Sequence, residues 1–156
     1  MVKLNVWQID STNPSVTEQI GEQLGKRLRG GEVIELVSDL GGGKTTFVRG
    51  LARGIGSADH VSSPTFTLSN IYHGSHLHLQ HFDFYRLPEA GIIANELEEA
   101  IDEPYSVLVI EWANIIHDVL PTDRLTITFT PTATDGRHLR LSYPAAYNYL
   151  TKGLVA

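Results

Sequence analysis

The sequence predicts an α/β fold: a mostly parallel central sheet with antiparallel additions and helices on both faces. Three observations predict it. An apolar run, Glu32 to Val37, enters a glycine triplet and is followed by Lys-Thr-Thr and a helical pattern. A second apolar run, Val107 to Ile110, has no polar alternation, as expected of a parallel strand buried on both faces. The last third of the chain instead carries two alternating stretches around Asp135-Gly136, the pattern of an antiparallel pair. With 156 residues the chain is long enough for one domain, 1–156, with a sizeable core.

Taken in order, Lys3 to Ile9 reads as a first strand, with Leu4, Val6 and Gln8 on one face. Asn13-Pro14 is a helix start, an N-cap followed by proline in the first turn. That helix is expected to run to about Leu28, with Ile20, Leu24 and Leu28 as its buried stripe and Gly30-Gly31 as its stop. Lys26, Arg27 and Arg29 would then close the helix, either as part of a local basic patch or as solvated charges favoured by its dipole. Glu32 to Val37 is the next strand. Lys44 to about Ile55 is the next helix, with Phe47, Leu51 and Ile55 inward.

The junction between that strand and helix reads Ser-Asp-Leu-Gly-Gly-Gly-Lys-Thr-Thr, residues 38–46. This is the composition of a phosphate-binding loop, a P-loop. Gly41, Gly42 and Gly43 lack side chains, so the backbone is able to wrap closely round phosphate oxygens. Amides at the helix start point at an anion, and the helix dipole adds attraction. Leu40 to Thr46 is therefore the expected nucleotide cradle: Leu40, Gly41, Gly42, Gly43, Lys44, Thr45 and Thr46. Lys44 supplies a point charge for the outer phosphates, and Thr45 a hydroxyl for Mg²⁺. The pattern departs at its first position, where Ser38 stands for the usual glycine; serine tolerates a positive φ less well.

Val61 to Leu68 is rich in hydroxyls (Ser62, Ser63, Thr65 and Thr67), and Pro64 keeps Ser63 extended. Nucleotide-switching proteins place a phosphate-sensing loop at this point of the chain; the plain reading is a strand entry with polar residues facing water. Phe66 to Tyr72 and Leu77 to Phe84 alternate across a turn near Gly74-Ser75 and predict a hairpin. His73, His76, His78 and His81 fall here. His76 and His78 share a strand face that His81 does not, so the set does not converge on a metal and reads as exposed hairpin histidines.

Asp83 lies between two aromatics at a strand end, where a carboxylate needs a partner or a task. Asn95 to Ile101 reads as an acidic helix with Glu96, Glu98 and Glu99 solvated. Glu111 ends the Val107 to Ile110 strand, placed to reach Mg²⁺ or its water beside a P-loop. A short helix with Ile115 and Ile116 stops at Pro121. Arg124 to Thr130 and Arg137 to Ser142 form the final strand pair, and Tyr147 to Leu154 is a short helix or a tail.

Composition sets the remaining bounds. There are no cysteines, which removes disulfides, thiol nucleophiles and cysteine zinc sites. No apolar run is long enough for a bilayer, and the first residues lack a signal-peptide core, so a cytoplasmic location without membrane association is expected. A net charge of −6 argues against direct binding of nucleic acid, although Arg49 and Arg53 lie one helical turn apart. Lys44, Thr45, Asp83 and Glu111 together point to metal-assisted nucleotide hydrolysis, with Asp83 and Glu111 as the catalytic acids. No Asn-Lys-x-Asp motif favours guanine, and no lid insertion favours a small-molecule kinase.

Four motifs carry a resemblance: Asp39 to Gly50, Ser63 to Leu68, His81 to Leu87 (His-Phe-Asp-Phe-Tyr-Arg-Leu) and Ile110-Glu111-Trp112. In this order and spacing the chain resembles the TsaE family, bacterial ATPases needed for tRNA threonylcarbamoyladenosine synthesis. The resemblance covers nearly the whole chain, and the middle two motifs make it specific. It implies ATP and Mg²⁺ as cofactors and a TsaB–TsaD complex as partner, with tRNA reached only through that complex. It implies that Lys44 holds phosphates, that Thr45 and Glu111 serve Mg²⁺, and that Asp83 acts in hydrolysis by orienting water or metal. Trp112 matches the tryptophan closing the last motif and is assigned to the nucleotide base or a partner; the plain reading is a buried strand-end aromatic. Gly42 stands where the family often has alanine. The rival readings are a nucleotide-gated binding module without significant turnover and a small P-loop kinase.

Overall fold

The structure is a computed structural model that describes residues 3–38, 43–64, 69–85, 91, 93–132 and 135–156, with Ile115 described by its backbone alone. Its elements are β1 (Leu4–Ser11), α1 (Pro14–Gly25), β2 (Val33–Val37), α2 (Lys44–Gly54), β3 (Ser69–His73), β4 (His78–Asp83), α3 (Ile93–Ile101), β5 (Ser106–Glu111), β6 (Leu125–Pro131), β7 (Arg137–Pro144) and α4 (Asn148–Thr151). Short 3₁₀ turns follow β5 at Ala113–Ile116 and β7 at Ala145–Tyr147.

The strands form one sheet in the order β1-β7-β6-β2-β5-β4-β3. The central four, β6, β2, β5 and β4, run parallel. β7 and β1 are added antiparallel on one side, and β3 on the other. This is the expected α/β architecture, with the antiparallel additions at both margins. β5 is buried at every position between two parallel neighbours, which is why its sequence shows no alternation.

Each face of the sheet packs on helices. Ile20 and Leu24 of α1 and Phe47 and Leu51 of α2 cover Ile34, Leu36, Val107 and Val109 on one face. Leu97 and Ala100 of α3 join Leu108, Ile110 and Phe82 on the other. Each such side chain contributes about 1.5–3 kcal/mol when fully buried. α1 begins as expected: the Asn13 side chain accepts from the Val16 amide at 3.0 Å, with Pro14 in the first turn.

α1 ends at Gly25, one turn earlier than its apolar stripe suggests, although Leu28 is still buried beyond it. Close packing explains the stop. A methyl group on Gly21 or Gly25 would run into the Phe47 or Leu51 carbonyl of α2. One on Gly50 or Gly54 would run into the Glu18 or Glu22 carbonyl of α1. The two helices thus meet backbone to backbone along glycines four residues apart on each, and the chain must leave this contact to enter β2. Lys26, Arg27 and Arg29 therefore follow the helix and do not close its last turn. Lys26 pairs with Glu22, Arg27 donates to the Gln23 carbonyl, and Arg29 lies 3.9 Å from the Tyr149 ring centre.

The β3–β4 hairpin, the acidic α3, the 3₁₀ turn after β5 and the β6–β7 pair stand where the pattern put them. Of the Phe66 to Tyr72 strand, residues 66–68 lie outside the described residues. The histidines correct the sequence reading. His81 is fully buried, not an exposed hairpin residue, because its strand position faces the interior between β3 and β5. Among the described residues no group of three or more His, Asp or Glu side chains is arranged to hold a metal. No helix among them is long and apolar enough to cross a membrane.

Candidate functional site

Strand register builds the site. Leu36 of β2 and Asp83 of β4 both pair with Glu111 of β5. The carboxyl ends of three adjacent parallel strands therefore lie level, the position where α/β sheets hold ligands. β2 leads from there into the candidate phosphate loop, of which Leu40, Gly41 and Gly42 lie outside the described residues. Gly43 is described, with φ of 96° at the N-cap of α2. A left-handed cap of this kind suits glycine. No side chain among the described residues caps the helix start, so its first amides remain available to an anion.

Lys44 is buried, with its side chain folded back over the strand ends. Its ammonium donates to the Ser38 carbonyl at 3.3 Å, stands 3.6 Å from Oε1 of Glu111, and lies 4.3 Å from the centre of the Trp112 ring. A buried ammonium needs such partners, since its desolvation costs several kcal/mol. Ser38 does not need the positive φ that its replacement of glycine put in question. Trp112 is the only non-glycine with positive φ among the described residues.

Trp112 holds that backbone at φ 57° and ψ 53°. This left-handed geometry costs a bulky residue about 1–3 kcal/mol and is found where a side chain must be aimed. Here it turns the indole onto Lys44 and against Tyr85, whose ring centre is 4.8 Å away. A cavity of about 330 Å³ opens beside it, lined by Leu36, Ser38, Trp112, Asn114, Phe129 and Thr130 among others. That size lies at the lower end of small-molecule sites.

Glu111 is buried and uses both carboxylate oxygens: Oε1 faces Lys44, and Oε2 lies 2.6 Å from Nε2 of His81. Asp83 is buried beside it in register, but its carboxylate turns elsewhere. Oδ1 accepts from the Tyr85 amide at 3.0 Å, and Oδ2 from the Ser63 hydroxyl at 3.4 Å. Thr45 and Thr46 occupy the first turn of α2 and are half-buried.

The structure thus brings Gly43, Lys44, Thr45, Glu111 and Trp112 to one place, with Asp83 at its margin and tied to the hydroxyl-rich segment. Sequence reasoning missed His81. The signal was available: His81 and Asp83 are two residues apart on one strand and so share a face. Arg53, half of the basic pair on α2, is ion-paired to Glu18 at 2.7 Å and approaches Glu22 at 4.0 Å.

The family model described as "Threonylcarbamoyl adenosine biosynthesis protein TsaE" matches residues 11–139. The Bacillus subtilis tRNA threonylcarbamoyladenosine biosynthesis protein TsaE is 36% identical over 133 residues, covering 83% of this chain and 80% of its own. The protein of the same description from Treponema pallidum is 36% identical over 126 residues, 81% of this chain and 93% of its own. The crystal structure of Bacillus subtilis YdiB superposes with a TM-score of 0.77 at 32% identity, covering 99% of this chain and 95% of that one.

Proposed function

The chain belongs to the TsaE family, and on that premise we propose that it is a Mg²⁺-dependent ATPase serving threonylcarbamoyladenosine formation in tRNA through a TsaB–TsaD complex. The observation that carries this reading is the buried Lys44–Glu111 pair beside an uncapped helix start at the ends of parallel strands. A buried lysine at that place is already dehydrated, so phosphate oxygens gain a full charge partner there.

The residues fit the groups they would hold. Gly43 and the first amides of α2 face an anion, and Lys44 exchanges its Glu111 partner for phosphate. Thr45 and Glu111 are oxygen donors of the kind Mg²⁺ takes, and the ion would supply charge neutralisation on the phosphates. Asp83 is held by Ser63 and Tyr85, an arrangement suited to orienting a water from a fixed carboxylate. The cavity beside Trp112 is the place for the base.

The test is turnover at saturating MgATP with the TsaB–TsaD pair titrated in. Slow hydrolysis alone and clear stimulation by the pair are expected. A rate that stays flat although complex formation is verified would overturn the partner-dependent ATPase. If ATP still strengthens that complex without turnover, the chain is a nucleotide-gated binding module.

A further inference from the structure

Resting on this reading of the site, we propose that His81 is a positioning residue that fixes the Glu111 carboxylate and, through Tyr72, ties it to the Ser62 backbone carbonyl. His81 is fully buried and both ring nitrogens are engaged. Nε2 lies 2.6 Å from Oε2 of Glu111, and Nδ1 lies 3.4 Å from the Tyr72 hydroxyl. That hydroxyl donates to the Ser62 carbonyl at 2.9 Å and accepts from the Asn70 amide at 3.4 Å. A phenol has one proton, and it goes to Ser62. Burial raises the Tyr72 pKa, so the phenol holds its proton more firmly still.

The consequence lies in how a carboxylate presents itself. With Oε2 held by the ring, only Oε1 faces the loop, and it faces Lys44. Without the ring, the carboxylate is able to turn and engage Lys44 with both oxygens. Carboxylates that serve a metal are themselves hydrogen-bonded, and loss of such support typically costs about 10–100-fold in metal affinity. The same chain of contacts reaches the hydroxyl-rich segment. Ser62 is bound through Tyr72 to the Glu111 side, and Ser63 is bound directly to Asp83. Both candidate acids therefore hold adjacent residues of one short segment, and its placement is coupled to theirs.

Two arms test this, both in a Trp7→Phe background so that Trp112 is the only tryptophan. In the first, Mg²⁺ is titrated into the ATP complex and followed by Trp112 fluorescence. His81→Phe is expected to raise the Mg²⁺ midpoint roughly tenfold, while ATP affinity in EDTA changes less than about threefold. His81→Gln, whose amide is able to donate to Glu111, should recover part of the shift. An unchanged midpoint in folded His81→Phe, or in His81→Leu if the first variant does not fold, overturns the positioning role. The second arm needs no nucleotide. The ¹³C resonance of the Ser62 carbonyl, which accepts the Tyr72 proton, should move in Tyr72→Phe and in His81→Gln, with the β6 carbonyls unaffected. An unmoved resonance in both variants overturns the tie to this segment. If the parent chain binds no ATP, the ATPase reading falls, and the carbonyl arm alone decides the inference.

Discussion

Lys44 and Glu111 form an ion pair at 3.6 Å with both side chains almost completely buried. Each neutralises the other in a place where a lone charge would be costly. On the proposed reading, nucleotide binding would be an exchange of partners for Lys44. Lys44→Ala should weaken ATP binding by about 2–5 kcal/mol, a loss of roughly 30-fold to several-thousand-fold. It should also lower fold stability, because Glu111 loses its cation. Lys44→Met combined with Glu111→Gln should restore most of that stability and none of the affinity. Calorimetry and urea unfolding check the two halves separately, and unchanged ATP affinity in Lys44→Ala would remove the phosphate-loop reading.

Binding and chemistry should separate at the two acids. Asp83→Asn and Glu111→Gln keep the size of the side chains and remove their charge. Both are expected to retain measurable ATP binding and to lose most hydrolysis, about 100-fold or more for a group positioned on the reacting water. A variant that turns over at the parent rate identifies its residue as structural.

The contact between α1 and α2 leaves no room for a side chain. Gly50→Ala places a methyl group against the Glu18 carbonyl, and a backbone oxygen cannot swing aside as a flexible side chain does. Its cost is expected to exceed the roughly 1–3 kcal/mol of ordinary overpacking. Gly31→Ala is the control for overpacking: there a Cβ meets nothing within 4 Å, and only the strain of its φ of 87° is felt. Urea midpoints of the two variants give the comparison.

Alkaline pH should destabilise the protein. Burial first, then the hydrogen bond and charge of Glu32, push the Tyr149 phenol far above its usual 10.0. Burial also raises Tyr72 and Tyr147. Above pH 10 the unfolded chain releases these protons while the folded chain keeps them, so the unfolded state binds fewer protons and stability falls as pH rises. Tyr149→Phe removes the 2.5 Å bond to Glu32 and should be less stable at pH 7. Its decline above pH 10 should be shallower, which denaturation at pH 8, 10 and 11 would reveal.

The isolated chain should bind tRNA weakly. The net charge is −6, and Arg53 and Lys26 are paired with acids. With Arg53 paired, the Arg49/Arg53 stripe supplies few phosphate contacts, so the salt slope should be small. Tight, strongly salt-sensitive binding of tRNA to the protein alone would contradict this.

The parts of this molecule that were legible in the sequence are those set by local chemistry. Val107 to Ile110 announces a central strand because both faces are covered by helices, and Asn13-Pro14 announces a helix because capping is local. That Lys44 and Glu111 lie near one another was legible because each stands at the carboxyl end of an apolar strand, and such ends are level in a parallel sheet. What was not legible depends on partners far away in the chain. His81 looks like its hairpin neighbours until Glu111 and Tyr72 close on it. The close contact of α1 needs the glycines of α2, and the left-handed Trp112 stands against Lys44 and Tyr85. Ser38 looked like a defect only against a pattern, and the backbone there avoids the conformation that serine resists.

The glycine contact between α1 and α2 has a mechanical meaning for the site. Two helices in backbone contact have almost no side-chain layer to deform, so α2 is clamped along its length and acts as a fixed stator. The other side of the site is held differently: Ser62 and Ser63 are exposed, and bonds from Tyr72 and to Asp83 hold them between the buried Val61 and Pro64.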